Sequence, residues 1–189
     1  MLAPRQLTQP TMTQALNEQR LIAGSTSLAQ MSPLRQRLST LKDALAMQPG
    51  VIIQEFFGLN DQPRLNIRGS GIQSNPQRRG VYLLQDGIPV NFADGSYIIG
   101  VMDPMTAHFV QVFKGANALN FGASTLGGAI NFVSPTANKQ HGANMRIKAE
   151  GGSYGYRAVA ASMGYRWQTS DAHISTSYSA QDGHRLYNH

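Results

Sequence analysis

The spacing of apolar positions changes after Pro135. Beyond it, three segments of roughly ten residues alternate apolar and polar side chains, which is the period of a β-strand with two unlike faces. Aromatic residues lie near their ends. This pattern is typical of the strands of an outer-membrane barrel, and equally of a soluble antiparallel meander. The segments are ANMRIKAE (143–150), YRAVAASMGYRW (156–167) and AHISTSYSAQ (172–181).

Before Pro135 the apolar runs are shorter, and the first of them has the spacing of a helix. Leu38, Leu41, Ala44 and Leu45 fall on one face by the i, i+3, i+4 rule. Thr40 followed by Asp43 resembles a capping box, and Pro49-Gly50 provides a stop. We therefore predict a short helix in the stretch LSTLKDALAMQPGV.

Four apolar runs in the same region predict short strands. They are VIIQEFF (51–57), RLNIRG (64–69), VYLLQDGIPV (81–90) and HFVQVF (108–113). Asp86-Gly87 interrupts the third run and predicts a tight hairpin. Asp103-Pro104 is expected to open a single helical turn.

The glycines that follow the last of these strands have two interpretations. They either form ordinary turns, or they mark backbone that passes close to another surface. The positions are Gly115, Gly122, Gly127 and Gly128.

The amino-acid composition limits the kinds of partner that we expect this chain to bind. Charged residues make up only 14% of the 189-residue chain, below the roughly 25% of soluble domains, and the formal net charge is +6. The only adjacent basic pair is Arg78-Arg79, and no basic stripe with interleaved aromatics occurs, so we predict no nucleic-acid partner. Residues 1–30 are polar with weak periodicity and predict a flexible arm.

The sequence offers no cluster of catalytic residues. The five histidines lack the i, i+4 pairing and the neighbouring carboxylates of a metal site, and no glycine-rich stretch continues into the GK[ST] of a phosphate loop. We therefore predict no enzyme activity, no catalytic residue, no metal site and no cofactor.

Four motifs occur in a fixed order with short spacings: TLKDALAMQPGV, LNIRG, LLQDGIPV and DPMTAHFVQVFKGANALNFGASTLGGAINFVS. Together they resemble the plug domain of TonB-dependent outer-membrane receptors, over about Ser39 to Pro135. The resemblance implies an α+β plug, a small mixed sheet with short helices, followed by antiparallel β-strands of an incomplete transmembrane β-barrel. The implied domains are an arm at 1–30, the plug at 31–137 and the first barrel strands at 138–189.

The resemblance also implies roles for particular residues. The arginine of the IRG motif and a basic residue before a later glycine face acidic residues of the barrel wall in this family. Here these positions are Arg68 and Lys114, which would form a plug–barrel latch; a lysine that extends from a strand end into solvent is the alternative.

Outward loops of the plug carry ligand contacts in the family, and by position they are 55–59, 73–79 and 94–98. The ligand-binding residues expected from them are Phe56, Gln73, Arg78, Arg79 and Tyr97. Arg78-Arg79 could instead be a solvated loop pair, and Tyr97 could simply pack its loop.

The implied function is energy-coupled uptake of a metal chelate, with a ferric siderophore as the expected cargo. TonB would bind the N-terminal arm, where LAPRQLT (2–8) is the candidate contact, and the plug would lie within the barrel of the outer membrane. Three strands cannot close a barrel of about 22 strands, so we expect this chain to be a fragment, with no signal peptide. The alternative is a free-standing periplasmic binding module for a metal chelate.

Overall fold

The computed structural model describes residues 10–22, 26–31, 37–38, 40–55, 63–70, 80–98, 102–121, 127–137 and 142–182. The helices are α1 (Met12–Leu21) and α2 (Leu41–Leu45), and a 3-10 helix covers Gly115–Phe121. The strands are β1 (Thr26–Gln30), β2 (Val51–Gln54), β3 (Arg64–Ile67), β4 (Val81–Gln85), β5 (Ile88–Pro89), β6 (Phe109–Lys114), β7 (Gly128–Val133), β8 (Gly142–Gly151), β9 (Arg157–Arg166) and β10 (Asp171–Ala180).

A mixed five-strand sheet in the order β1-β6-β7-β4-β5 organises the residues before Pro135. β4 and β7 run parallel, and the other neighbours run antiparallel. Its central strands β6 and β7 are buried along their whole length because both faces of the sheet are covered. One face packs against α2 and the β2–β3 pair, and the other packs against α1 and the 3-10 helix.

The predicted short helix is confirmed as α2. Thr40 accepts a hydrogen bond from the backbone N–H of Asp43, and the Asp43 carboxylate accepts one from the N–H of Thr40, which completes the capping box. The apolar face proposed from the sequence, Leu38 with Leu41, Ala44 and Leu45, is buried against the five-strand sheet.

The prediction of a flexible arm over residues 1–30 is wrong for α1 and β1. Thr11 and Gln14 form a second capping box at the start of α1. β1 then pairs antiparallel with β6, from Thr26 opposite Phe113 to Gln30 opposite Phe109, and so becomes an edge strand of the sheet. Residues 2–8, the candidate TonB contact, lie outside the described residues.

The hairpin predicted at Asp86-Gly87 is confirmed between β4 and β5. Both residues have positive φ, 55° and 80°, as a two-residue hairpin turn requires. The Asp86 carboxylate also reaches the end of β7, where it accepts hydrogen bonds of 2.7 Å from the backbone N–H and from the hydroxyl of Ser134. The turn is therefore tied to the centre of the sheet.

Replacing Asp86 by alanine should lower the free energy of unfolding by about 2 kcal/mol, because two hydrogen bonds are lost and two donors are left without an acceptor. The measurement is urea unfolding of the 189-residue chain in detergent, followed by circular dichroism. Asp94→Ala is the matched control, since Asp94 accepts the same two kinds of bond from Ser96 on an exposed loop. Equal losses for both variants would contradict the assigned role.

Residues after Pro135 form a separate three-strand sheet in the order β8-β9-β10. Each strand has ten residues, and both pairs are antiparallel and in full register. The alternation seen in the sequence therefore places one set of side chains towards the five-strand sheet and the other set outwards.

Candidate functional site

Arg68 lies in a strained turn at the end of β3. Arg68 and Gly69 have φ values of 52° and 87°, and the N–H of Ser70 donates to the carbonyl of Ile67 at 3.0 Å, which closes a two-residue turn. A left-handed conformation costs a residue other than glycine about 1 to 2 kcal/mol. An exposed arginine held there is thus a candidate for a functional side chain.

Lys114 lies at the end of β6, opposite Gly128, and only 5% of it is exposed. The Arg68 guanidinium lies nearby, since one of its nitrogens would be 3.4 Å from a Cβ built on Gly115. Burial lowers the pKa of Lys114 below its usual range, and the charge of Arg68 lowers it further. The fold thus brings together the two basic residues predicted as a latch.

No acidic group forms a salt bridge with Arg68 or Lys114 within the described residues. The two positive charges repel one another, and burial increases the cost of the lysine charge, whereas Arg68 is exposed to solvent. A carboxylate placed against this pair would remove both penalties. Arg68 and Lys114 therefore have no neutralising carboxylate among the described residues.

The glycines near this pair are crowded by the five-strand sheet and its neighbours. A Cβ on Gly128 would lie 2.5 Å from the carbonyl oxygen of Phe113 and 2.9 Å from Ile67 Cδ1. A Cβ on Gly127 would overlap the Ser70 hydroxyl and lie 2.9 Å from the carbonyl oxygen of Gly80. These two glycines are thus required by close approach of backbone within the plug itself. Close approach of this segment to a barrel wall stays a prediction.

Tyr97 lies in the core, with 3% of its surface exposed. Its hydroxyl donates to the carbonyl of Leu65 at 3.4 Å, and its ring belongs to the cluster that includes α2. In this position it packs the loop at 94–98, which is the second of the two roles considered for it. The other expected ligand contacts, Phe56, Gln73, Arg78 and Arg79, lie outside the described residues.

Contacts between the plug and the three-strand sheet join residues for which the sequence patterns predicted no such contact. The Ala137 N–H donates to Asp171 at 3.2 Å, and the Ser177 hydroxyl hydrogen-bonds to Asp103. At the far end of β8, the Leu38 N–H donates to Glu150 at 3.3 Å. The alternation in β8 and β10 placed Glu150 and Ser177 on the correct face, but their partners come from distant parts of the chain and have no local signal.

The N-terminal side of α2 adds a second contact to the three-strand sheet. The Arg37 guanidinium lies 4.1 Å from the centroid of the Tyr156 ring, as in a cation–π interaction, and also forms an ion pair of 3.2 Å with Asp43. The Tyr156 hydroxyl donates to Glu150 at 2.7 Å. Plug-side and sheet-side residues are thus joined in one polar network at this end.

The outward face of the three-strand sheet is apolar and exposed. Met145, Met163 and Ile174 lie opposite one another across the three strands, and Val159 is paired with Tyr178 nearer the other end. Tyr165 and Trp167 stack edge to face at the first end, with ring centroids 4.6 Å apart. The large exposed apolar side chains on this face are Met145, Ile147, Val159, Met163, Tyr165, Trp167, Ile174 and Tyr178.

A family model described as "TonB-dependent Receptor Plug Domain" matches residues 18–129, which is more than half of the chain. The chain belongs to the family of TonB-dependent receptor plug domains. The match begins at residue 18, within α1, in agreement with the pairing of β1 in the plug sheet. The fold predicted from the four sequence motifs, a plug followed by antiparallel strands, is confirmed.

Solved structures share this fold at low sequence identity. A structure described as the copper transporter OprC matches with a TM-score of 0.63 at 17% identity, over 82% of this chain and 23% of that one. The pyoverdine outer membrane receptor FpvA from Pseudomonas aeruginosa PAO1 matches with 0.62 at 19%, over 83% and 22%. The siderophore receptor PirA from Acinetobacter baumannii matches with 0.58 at 15%, over 90% and 26%. The chain thus spans about a quarter of the length of the structures it matches.

Neither a metal-binding cluster nor a membrane-spanning helix occurs in the described part of the plug and its strands. No group of three or more His, Cys, Asp or Glu side chains is arranged to hold a metal ion there. None of the helices described there is long and apolar enough to cross a membrane.

Proposed function

We propose that this chain is the N-terminal part of an outer-membrane receptor that takes up a metal chelate, with a ferric siderophore as its cargo. The observation that carries the proposal is the combination of a plug domain with a three-strand sheet that holds the plug on one face and is apolar on the other. A plug bound to the inside of a membrane-facing wall is the arrangement expected of a gated transporter.

The outward face of the three-strand sheet fits acyl chains as its environment. Strands of about 9–11 residues are long enough to cross the hydrocarbon layer when tilted, and each of these strands has ten. Tyr165 and Trp167 near one end and Tyr178 towards the other match the aromatic girdles of such walls. A soluble meander would expose the same apolar side chains to water.

Within the proposed receptor, Arg68 and Lys114 form the latch. Their local structure supports this role, because both cations lack an acidic partner among the described residues and one of them is buried. A carboxylate on the completed wall would neutralise them in the closed state. Release of that contact would then accompany movement of the plug.

The remaining partners follow from the family. Phe56, Gln73, Arg78 and Arg79 are proposed to contact the cargo, with the two arginines binding an anionic chelate through charge-assisted hydrogen bonds. Tyr97 is proposed to stabilise the outward loop at 94–98 by packing in the core beneath it, because its side chain is buried. TonB is proposed to bind the N-terminal segment and to supply the force for transport.

The proposal is tested by uptake and binding with the complete gene product in cells with and without TonB, across ferric siderophores, haem and cobalamin. Uptake of one ferric chelate that requires TonB is the expected result. Joint replacement of Arg78 and Arg79 by alanine should weaken its binding about tenfold or more. Binding that survives this double substitution would remove the arginines from the site, and TonB-independent binding by a soluble product would favour a free-standing binding module.

A further inference from the structure

A small cleft separates the plug from the inner face of the three-strand sheet. Its plug side is formed by Met31, Leu38, Met105 and Thr106, and its sheet side includes Arg146, Lys148, Ser162 and Ser175. The floor is thus apolar on the plug side, while the sheet side offers two cations and two hydroxyl groups.

Lys148 is the most informative group in the cleft. Its side chain is only 10% exposed, and apart from an ion pair with Glu150 its Nζ makes no hydrogen bond within the described residues and has no contact with solvent. An ammonium group carries three N–H donors, so this buried cation retains donors that have no acceptor among the described residues. Buried donors are nearly always satisfied, and the gap points to an absent acceptor.

Glu150 orients Lys148 but does not satisfy it. Its carboxylate forms the ion pair with one of the three N–H donors of Lys148, and it also accepts hydrogen bonds from the Leu38 N–H and from the Tyr156 hydroxyl. Glu150 therefore joins the plug to the three-strand sheet. The N–H donors of Lys148 that do not face Glu150 remain available to a second oxygen ligand.

Arg146 adds a second positive charge two residues earlier on the same face of β8. It lies opposite Ser162 on β9, which in turn lies opposite Ser175 on β10. No acidic side chain forms a salt bridge with Arg146 in the part of the chain that the structure describes. Among the described residues that line the cleft, the charged side chains are Arg146 and Lys148, and Glu150 beside Lys148 offsets one of these two positive charges.

We propose that this cleft binds a carboxylate group of an anionic solute, held by Lys148 and Arg146 with Ser162 and Ser175 as further donors. The cavity volume is about 30 Å³, which is room for about two water-sized atoms and therefore for the two oxygens of one carboxylate. The cleft lies between the plug and the three-strand sheet, and none of its lining residues belongs to the outward loops proposed for the cargo. It does not depend on TonB or on the identity of the cargo.

The test is isothermal titration calorimetry of the 189-residue chain in detergent micelles, with sodium malonate as the ligand and sodium chloride at equal ionic strength as the reference. Malonate is expected to bind and chloride to give no comparable heat. Lys148→Met should weaken malonate binding about tenfold or more, because a charge-assisted hydrogen bond to a buried ammonium is lost. Arg146→Gln, at an exposed position that the fold does not require, should weaken it about threefold.

Two matched control variants each remove one positive charge, a lysine or an arginine, at a position outside the cleft. Lys42→Met and Arg157→Gln alter exposed side chains outside the cleft and should leave malonate binding unchanged. Equal effects of Lys148→Met and Lys42→Met, or no malonate binding by the unaltered chain, would overturn the proposal and leave water as the missing acceptor. Inorganic phosphate binding more tightly than malonate would overturn the assignment to a carboxylate. The loss of TonB-dependent uptake plays no part in these outcomes.

Discussion

Replacing Gly128 by alanine is expected to lower the free energy of unfolding by about 3 kcal/mol or more. Gly128 begins β7 at the point where this central strand passes β6 and the end of β3. The added Cβ would lie 2.5 Å from the backbone oxygen of Phe113, which cannot move without breaking the pairing of β6 and β7. Ile67 on the other side is fully buried and has no room to withdraw. Urea unfolding of the 189-residue chain in detergent measures the loss.

Gly151→Ala is the matched control, because the nearest atom to a Cβ at that position is 4.0 Å away, an ordinary contact. It should change the free energy of unfolding by less than about 0.5 kcal/mol. Gly127→Ala provides an internal test, since its closest clash is with the Ser70 side chain: Ser70→Gly should partly restore Gly127→Ala and leave Gly128→Ala unimproved. Equal stability of Gly128→Ala and Gly151→Ala would show that the strand crossing is looser than described.

Local chemistry made part of this fold predictable from the sequence. The capping box at Thr40 and Asp43, the turn at Asp86-Gly87 and the alternation of β8 and β10 depend on residues within a few positions of one another. Each of these features has one strongly favoured conformation, so the pattern alone was sufficient. The resemblance to the plug family then supplied the arrangement of elements that no local pattern contains.

The N-terminal elements were missed because their stability comes from distant partners. β1 has five residues with only Ala29 fully buried, and it is held by pairing with β6, some eighty residues later in the chain. α1 buries only Ala15, which packs near Phe109 and Val133. Neither segment has enough apolar periodicity to be distinguished from a polar arm, because tertiary contacts decide its structure.

The candidate site was predictable only in part for the same reason. The motifs indicated Arg68 and Lys114, but their proximity depends on how the turn after β3 is folded against the end of β6. As an aromatic residue on an outward loop, Tyr97 is expected to contact the ligand, whereas the structure places its ring in the core. A loop aromatic has the same sequence signal in both roles, and only packing separates them.

Replacing Lys114 by methionine is expected to have opposite effects on this chain and on the complete receptor. In the 189-residue chain the substitution removes a buried charge that has no acidic partner among the described residues, so the free energy of unfolding should rise by about 1 to 3 kcal/mol. In the complete receptor the proposed wall carboxylate would lose its cation, and the plug should become less stable and leak small solutes. Urea unfolding measures the first effect and permeability of receptor-containing vesicles measures the second.

The pH dependence of the free energy of unfolding of the 189-residue chain gives an independent check that Lys114 is buried. Because the pKa of Lys114 is lowered on folding, the folded chain binds fewer protons than the unfolded chain between the lowered pKa and the usual value of 10.5. Stability should therefore rise as pH increases through that interval, and Lys114→Met should remove that rise.

Lys42→Met, at an exposed helix position, is the control for both experiments and should change neither stability nor its pH dependence. Arg68→Asn tests the contribution of Arg68 independently of Lys114. Asparagine tolerates the left-handed turn, and the substitution removes the charge that disfavours protonated Lys114. It should stabilise the 189-residue chain and weaken plug retention in the receptor, as Lys114→Met does. If either substitution shifts the chain and the receptor in the same direction, Arg68 and Lys114 do not hold the plug to a wall carboxylate.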